Sequence, residues 1–203
     1  MKINRNILFA TLFATALAAQ AGAQAKKFEI DSKTLGYRNV ASIESVADFE
    51  TFTGKTNAVS GFVSYDWGTK TGNGKIVIDP AQIDTGIPLR NEHMKSSGWL
   101  DTQKFPQIVF EAVKVQPGRK DEYKVTGNFT LHGVTKKISV PVTVRYSAAS
   151  AATKAAGFEG DVIRLTTKFN IVLADYGISI PAAAAGKIAK DVTITLSTYA
   201  IAK

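Results

Sequence analysis

Apolar and polar side chains alternate at every second residue along most of this chain, which limits it to strands with one dry face and one wet face. Tyr123, Val125, Gly127, Phe129 and Leu131 share one face, and Lys124, Thr126, Asn128 and Thr130 share the other. Ile138, Val140, Val142, Val144 and Tyr146 alternate with Lys137, Ser139, Pro141, Thr143 and Arg145. The same rhythm runs through Ile163, Leu165, Thr167 and Phe169, and again through Val192, Ile194 and Leu196. Strands of a parallel α/β sheet are buried on both faces and read as unbroken apolar runs, so that class is excluded. Gly72-Asn73-Gly74, Pro117-Gly118 and His132-Gly133 punctuate the runs as turns, with Gly133 free to adopt positive φ.

Nine strands are predicted, near residues 28–34, 39–48, 58–66, 74–79, 107–116, 122–131, 136–146, 158–169 and 190–199. A short helix is predicted from Ile87 to Ser96, with Pro88 in its first turn and Thr85 as a capping residue. A second short helix or loop follows Pro181, and the Ala/Ser-rich stretch 147–156 reads as an exposed connection. Pro141 lacks an N–H inside a strand, which predicts an edge, a bulge or solvent beside it. The spacing implies a mainly β chain: a closed antiparallel, lipocalin-like barrel of about eight to ten strands with one or two short helices. Such closure removes exposed edges and leaves an interior that side chains fill or one small ligand occupies.

The first 23 residues read as a leader. Lys2 and Arg5 precede the apolar stretch from Ile7 to Ala19, and Ala21-Gly22-Ala23 and Ala23-Gln24-Ala25 are alternative cleavage sites. This predicts a periplasmic or secreted protein with a single domain over residues 24–203. The chain has no cysteine, so thiol chemistry, disulfides and cysteine-ligated metals are excluded. Its net charge is +8, of which the leader carries two. The basic residues are scattered, which argues against nucleic acid. They read either as a solvated surface or as peripheral attraction to an anionic membrane.

Four segments carry a family resemblance: Leu89-Arg90-Asn91-Glu92-His93-Met94, then Lys104-Phe105-Pro106-Gln107-Ile108-Val109-Phe110, then Gly127 through Thr135, then Asp175-Tyr176-Gly177-Ile178. In order and spacing they resemble the YceI-like family of secreted bacterial barrels described as lipid- or polyisoprenoid-binding. The chain has Asn91 where the family usually has Asp, and Trp99-Leu100-Asp101 where it usually has Phe-Phe-Asp. It has Leu173-Ala174 near the late motif in place of a basic residue. The resemblance implies an isoprenoid lipid or isoprenoid quinone in the lumen, with no cofactor and no catalysis.

Burying one methylene contributes about 0.8 kcal/mol, so a prenyl unit contributes roughly 4 kcal/mol at most. A dry tunnel alone is enough for tight binding. Lumen candidates are Ile108, Phe110, Phe129, Leu131, Ile138, Val140, Val142, Ile163, Leu165 and Phe169. Each is equally well explained as ordinary core. Arg90 and His93 are candidates for contacting a headgroup, since guanidinium matches phosphate geometry. The alternative for Arg90 is a structural bond from the short helix to a loop. His93 and His132, the two histidines, lack the spacing of a metal motif. No G-x-S-x-G nucleophile elbow occurs, and Gly72-Asn73-Gly74 precedes a strand where a phosphate cradle would need a helix.

Two other functional readings compete with the carrier. One is an envelope barrel with a packed lumen and a protein partner outside. The other is an outer-membrane barrel, disfavoured because most runs fall short of the roughly 9–11 residues a spanning strand needs. The oligomeric state is left open, with a homodimer as one alternative.

Overall fold

The structure is a computed structural model and describes residues 24–202. The leader expected at 1–23 lies outside the described residues. In chain order the elements are β1 (Lys26–Ile30), α1 (Ser32–Leu35), β2 (Val40–Val46), β3 (Thr51–Thr56), β4 (Val59–Asp66), β5 (Thr71–Ile78), α2 (Pro88–Lys95), β6 (Ile108–Pro117), β7 (Glu122–Leu131), β8 (Val134–Ser147), α3 (Ala151–Ala155), β9 (Val162–Val172) and β10 (Asp191–Ala202). Eight strands close on themselves in the order β1-β4-β5-β6-β7-β8-β9-β10, and β1 meets β10 again through Phe28 opposite Ala202 and Glu29 opposite Ile201. Every pairing is antiparallel.

Strands β2 and β3 are additions to the barrel. Val192 to Ser197 of β10 pair with β2, and only the last turn of β10 reaches β1. At this change of partner Asn39 is fully buried. Its Oδ1 accepts hydrogen bonds from Thr198 Oγ1 at 3.0 Å and Tyr199 N at 2.9 Å, satisfying donors where the ladder is interrupted.

The strand count is ten, one more than expected. Strand β3, with the sequence TFTGKT, has one large apolar residue and a glycine, so no alternation marks it. Its pairing with β2 makes it a strand, and a Cβ at Gly54 would lie 2.6 Å from Ile83. Strand β1 ends at Ile30 because Asp31 caps α1, accepting from Lys33 N at 2.8 Å. The stretch after Pro181 forms a single 3-10 turn, Ala182–Ala184. Thr85 does not cap α2; its N–H and hydroxyl both donate to Asn91 Oδ1, at 2.9 and 2.7 Å. His132 and Gly133 both have positive φ, 51° and 75°, which makes the two-residue connection between β7 and β8 a type I′ hairpin.

Strands β6 to β10 run to 10–14 residues, reaching the spanning length that most runs were expected to fall short of. Length therefore does not exclude a spanning barrel. The outer face does: Lys114, Lys124, Lys137, Arg145, Arg164 and Lys168 are all exposed on β6–β9. A Lys or Arg on a lipid face costs about 2–4 kcal/mol at the bilayer midplane.

The interior divides along the barrel axis. At the end where β5, β7 and β9 finish, Leu131, Ile171, Leu173, Tyr176, Ile178, Val192, Ile83 and Leu100 form a packed plug. Met94, Trp99 and Ile138 pack against it. The segment carrying α2 and the loop after β9 fold over this end and close it.

Candidate functional site

The other half of the barrel is hollow. A cavity of about 310 Å3 lies above the plug. At about 15–30 Å3 for each water-sized group, it holds roughly 10–20 methylenes. Its floor is aromatic: Phe129 stands edge-on to Phe169 at 5.7 Å and to Tyr176 at 5.5 Å. Its wall is thin where Gly74 and Ala112 sit in register on β5 and β6, both bordering the hollow; the space over Gly127, next in register on β7, is taken by the Phe110 ring.

The mouth is a ring of aromatic side chains. Trp67 meets Phe28, Tyr65 and Tyr146 edge-on at 6.0, 5.3 and 5.6 Å, and Tyr65 meets Tyr123 at 5.8 Å. Edge-to-face pairs of this kind hold one another in place. Trp67 and Tyr146 remain 45% and 47% exposed, so the ring faces solvent on one side and the hollow on the other. Burial, then Tyr123 and Asp66, push the Tyr65 hydroxyl above its usual pKa, so it stays a neutral donor. The inward polar residues along the cavity are Tyr65, Tyr123, Tyr146 and Thr167, with Asp121 at the rim; Ser64, Asn73 and Thr166 border it from positions whose side chains alternate outward.

Beside the mouth, Asp161 gathers the connection between β8 and β9. Its carboxylate pairs with Lys26 and accepts from Tyr146 OH at 2.6 Å and Ala149 N at 2.7 Å. The bonds from Lys26, then Tyr146, then Ala149 hold the Asp161 carboxyl far below the usual carboxylate range. A depressed carboxyl pKa adds stability that is fully present above the unfolded value, near 4, and is lost progressively as pH falls from there through the lower folded-state value. Asp161→Asn should therefore lower the urea midpoint at pH 7, and the gap from the parent protein should be much smaller at pH 2. An equal gap at both pH values would contradict the ion pair.

Of the ten lumen candidates, Ile108, Phe110, Phe129, Val140, Val142, Ile163, Leu165 and Phe169 line the cavity. Leu131 and Ile138 do not; they face inward but lie lower, in and against the plug. Arg90 and His93 are also away from the cavity, on α2 at the closed end. Arg90 pairs with Glu50 and stacks on Phe52, its guanidinium carbon 4.6 Å from the ring centre. The structural alternative for Arg90 is the one observed. His93 is exposed, and its carbonyl accepts from Ser96 N and Oγ. Arg90→Ala should loosen α2 by about 1 kcal/mol, as a partly exposed pair does, without changing what the cavity takes up; thermal unfolding beside a lipid-binding titration checks this.

Asn91 anchors the same helix. Its Nδ2 donates to Asp84 Oδ1 at 2.7 Å while its Oδ1 accepts from Thr85. The Gly86 N–H, then Asn91, hold the Asp84 carboxyl below its usual value. Beside that charge an amide can donate and a carboxylate could not, which accounts for Asn at this position. His132 Nδ1 lies 3.2 Å from the Tyr176 carbonyl oxygen, tying the hairpin to the plug. Among the described residues, no three His, Asp or Glu side chains converge as a metal site.

Period-two parity turns Tyr123 and Tyr146 inward, but it does not say that inward aromatics at strand ends form a rim. Trp67 continues the period of Tyr65 past the end of β4, and that was the available signal.

A model of the YceI-like domain matches residues 18–200. The chain belongs to the YceI-like family. A UPF0312 protein of Vibrio parahaemolyticus is 30% identical over 174 residues, 85% of this chain and 88% of the relative. Among solved structures, BcnA of Burkholderia cenocepacia is similar with a TM-score of 0.69 at 21% identity, covering 84% of this chain and 98% of its own. A polyisoprenoid binding domain from Saccharophagus degradans, implicated in plant cell wall breakdown, gives 0.65 at 17% identity over 89% and 100%. At these identities the likeness establishes the YceI-like fold, a closed eight-strand barrel with two added strands.

Proposed function

We propose that this YceI-like protein is a non-catalytic carrier that holds one isoprenoid lipid, with the tail on the aromatic floor and the headgroup at the aromatic mouth. The observation that carries this reading is a greasy cavity closed by a plug at one end and opening past Trp67 and Tyr146 at the other. A hollow lined by Phe, Ile, Val and Leu favours a hydrocarbon over water. The similarity to the polyisoprenoid binding domain of Saccharophagus degradans supports the same ligand class. The leader predicted at 1–23 supports a carrier in the periplasm or outside the cell, where a long apolar chain needs shielding from water.

The mouth favours a headgroup that accepts hydrogen bonds, such as a quinone or an alcohol. The Tyr65 and Tyr123 hydroxyls supply donors there. With room for roughly 10–20 methylenes, a chain longer than about four prenyl units must extend beyond the hollow. Solvent extraction of the purified protein followed by mass spectrometry tests the proposal, together with titration of added polyprenol and ubiquinone. Recovery of an isoprenoid, or saturable uptake of one, is expected. No lipid recovered and no uptake of either compound would overturn it.

A further inference from the structure

We propose that the outward face of β6–β9 is a docking surface for an anionic lipid bilayer, with the seam between β8 and β9 turned toward the membrane. The purpose of this face rests on the carrier reading above; its test does not. Six exposed cations, Lys114, Lys124, Lys137, Arg145, Arg164 and Lys168, stand on these four strands. Only Glu111 and Glu122 oppose them there, and Glu111 is already paired with Lys75 on β5.

The arrangement carries an internal cost. Arg145 and Arg164 are directly opposite one another in the β8–β9 register. Like charges so placed repel across the pair. Among the described residues neither is neutralised by a carboxylate; Arg164 lies 5.8 Å over the Tyr199 ring. An external anionic surface removes that repulsion.

The seam runs through the middle of this wall. The β8–β9 ladder extends from Ser147 opposite Val162 only to Val142 opposite Thr167, although β8 continues to Val134 and β9 to Val172. The strands part at Pro141, which has no N–H to offer, and Thr167 Oγ1 donates to its carbonyl at 2.6 Å. A groove of about 680 Å3 lies outside this point, lined by Lys124, Ser139, Pro141, Thr143, Thr166 and Lys168 among others. Val140, Val142, Thr166 and Thr167 border both the groove and the lumen. The basic wall is therefore continuous with the lipid cavity at the one place where the ladder between β8 and β9 is open.

A bilayer fits this surface better than an acidic protein does. Protein interfaces are centred on buried aromatic or apolar anchors and are depleted in lysine. The exposed aromatics Tyr37, Phe49 and Trp67 lie off the wall and Tyr146 is at the rim; the large exposed apolar side chains on the wall, Val113 on β6 and Val172 on β9, have two strands between them and form no joint anchor. Dispersed lysines and arginines on a broad face act through a delocalised field, as cations do at an anionic leaflet.

The test is vesicle co-sedimentation at low salt, using phosphatidylcholine with phosphatidylglycerol against phosphatidylcholine alone. Lys124→Glu/Arg145→Glu/Lys168→Glu should weaken partition onto the anionic vesicles by at least about 100-fold. Lys55→Glu/Lys187→Glu/Lys190→Glu changes net charge equally on exposed positions outside the wall and should weaken it no more than a few-fold. Equal losses in the two triples, equal binding to both vesicle types, or an unaffected wall variant would each overturn the docking face. Uptake of fluorescent polyprenol from detergent micelles, measured in parallel, should be the same in all three proteins. Failure of all three to take it up would overturn the carrier reading and leave the vesicle result to judge the docking face.

Discussion

Ala112→Phe is expected to abolish lipid uptake while leaving the barrel folded. Ala112 lines the cavity beside Gly74, so a ring there enters the hollow and displaces the hydrocarbon that would fill it. Excluding about five methylenes removes roughly 3–5 kcal/mol of burial. That lowers affinity by at least about 100-fold. Filling a void should hold or raise the unfolding temperature, because empty volume itself costs stability. Titration with a fluorescent polyprenol, read beside thermal unfolding, checks both halves. Undiminished uptake by a folded variant would mean that the hollow is not where lipid binds.

The second large effect is at the floor. Phe129 is 3% exposed and packs edge-on against both Phe169 above and Tyr176 in the plug. Phe129→Ala should cost about 3–5 kcal/mol, measured by urea unfolding, because the transfer energy is lost and a void remains. It also joins the cavity to the space at the plug. The variant should therefore take up longer chains than the parent, visible as a shift in the lipids recovered by mass spectrometry. In a barrel whose interior serves only stability, the unfolding midpoint would fall and the recovered lipids would not change. A stability change below about 1 kcal/mol would contradict the packing itself.

These two variants separate interior positions that the sequence cannot tell apart. Val140 and Leu131 both face inward by parity, yet Val140 lines the hollow and Leu131 belongs to the plug. Alternation records which face a residue takes, because a strand has a period of two. It says nothing of depth along the barrel axis. Depth is decided by which segments fold over an end: here α2, Trp99, Leu100 and the loop from Leu173 to Ile188 close one end, and among the described residues no comparable apolar segment covers the other.

The same reason explains Arg90 and His93. Their place on a short helix after β5 was legible, and Pro88–Lys95 is close to the range expected. That the helix caps the closed end was not, since the direction of closure depends on side chains far apart in sequence, such as Met94 packing against a plug built largely from residues 129–192. Strand β3 was missed for a related reason: its residues have little intrinsic pattern and acquire strand geometry from pairing with β2.

What the residues determined alone was local: strand or turn, inward or outward, the tight turn at His132-Gly133, and a closed antiparallel barrel. Those follow from backbone sterics and the two-residue repeat, which act over a few neighbours. Where the barrel is plugged, where it is hollow, which aromatics form its rim and where β8 parts from β9 were decided by tertiary structure. Each depends on the volumes of side chains brought together from distant strands, and packing of that kind has no signature in any short stretch of the chain.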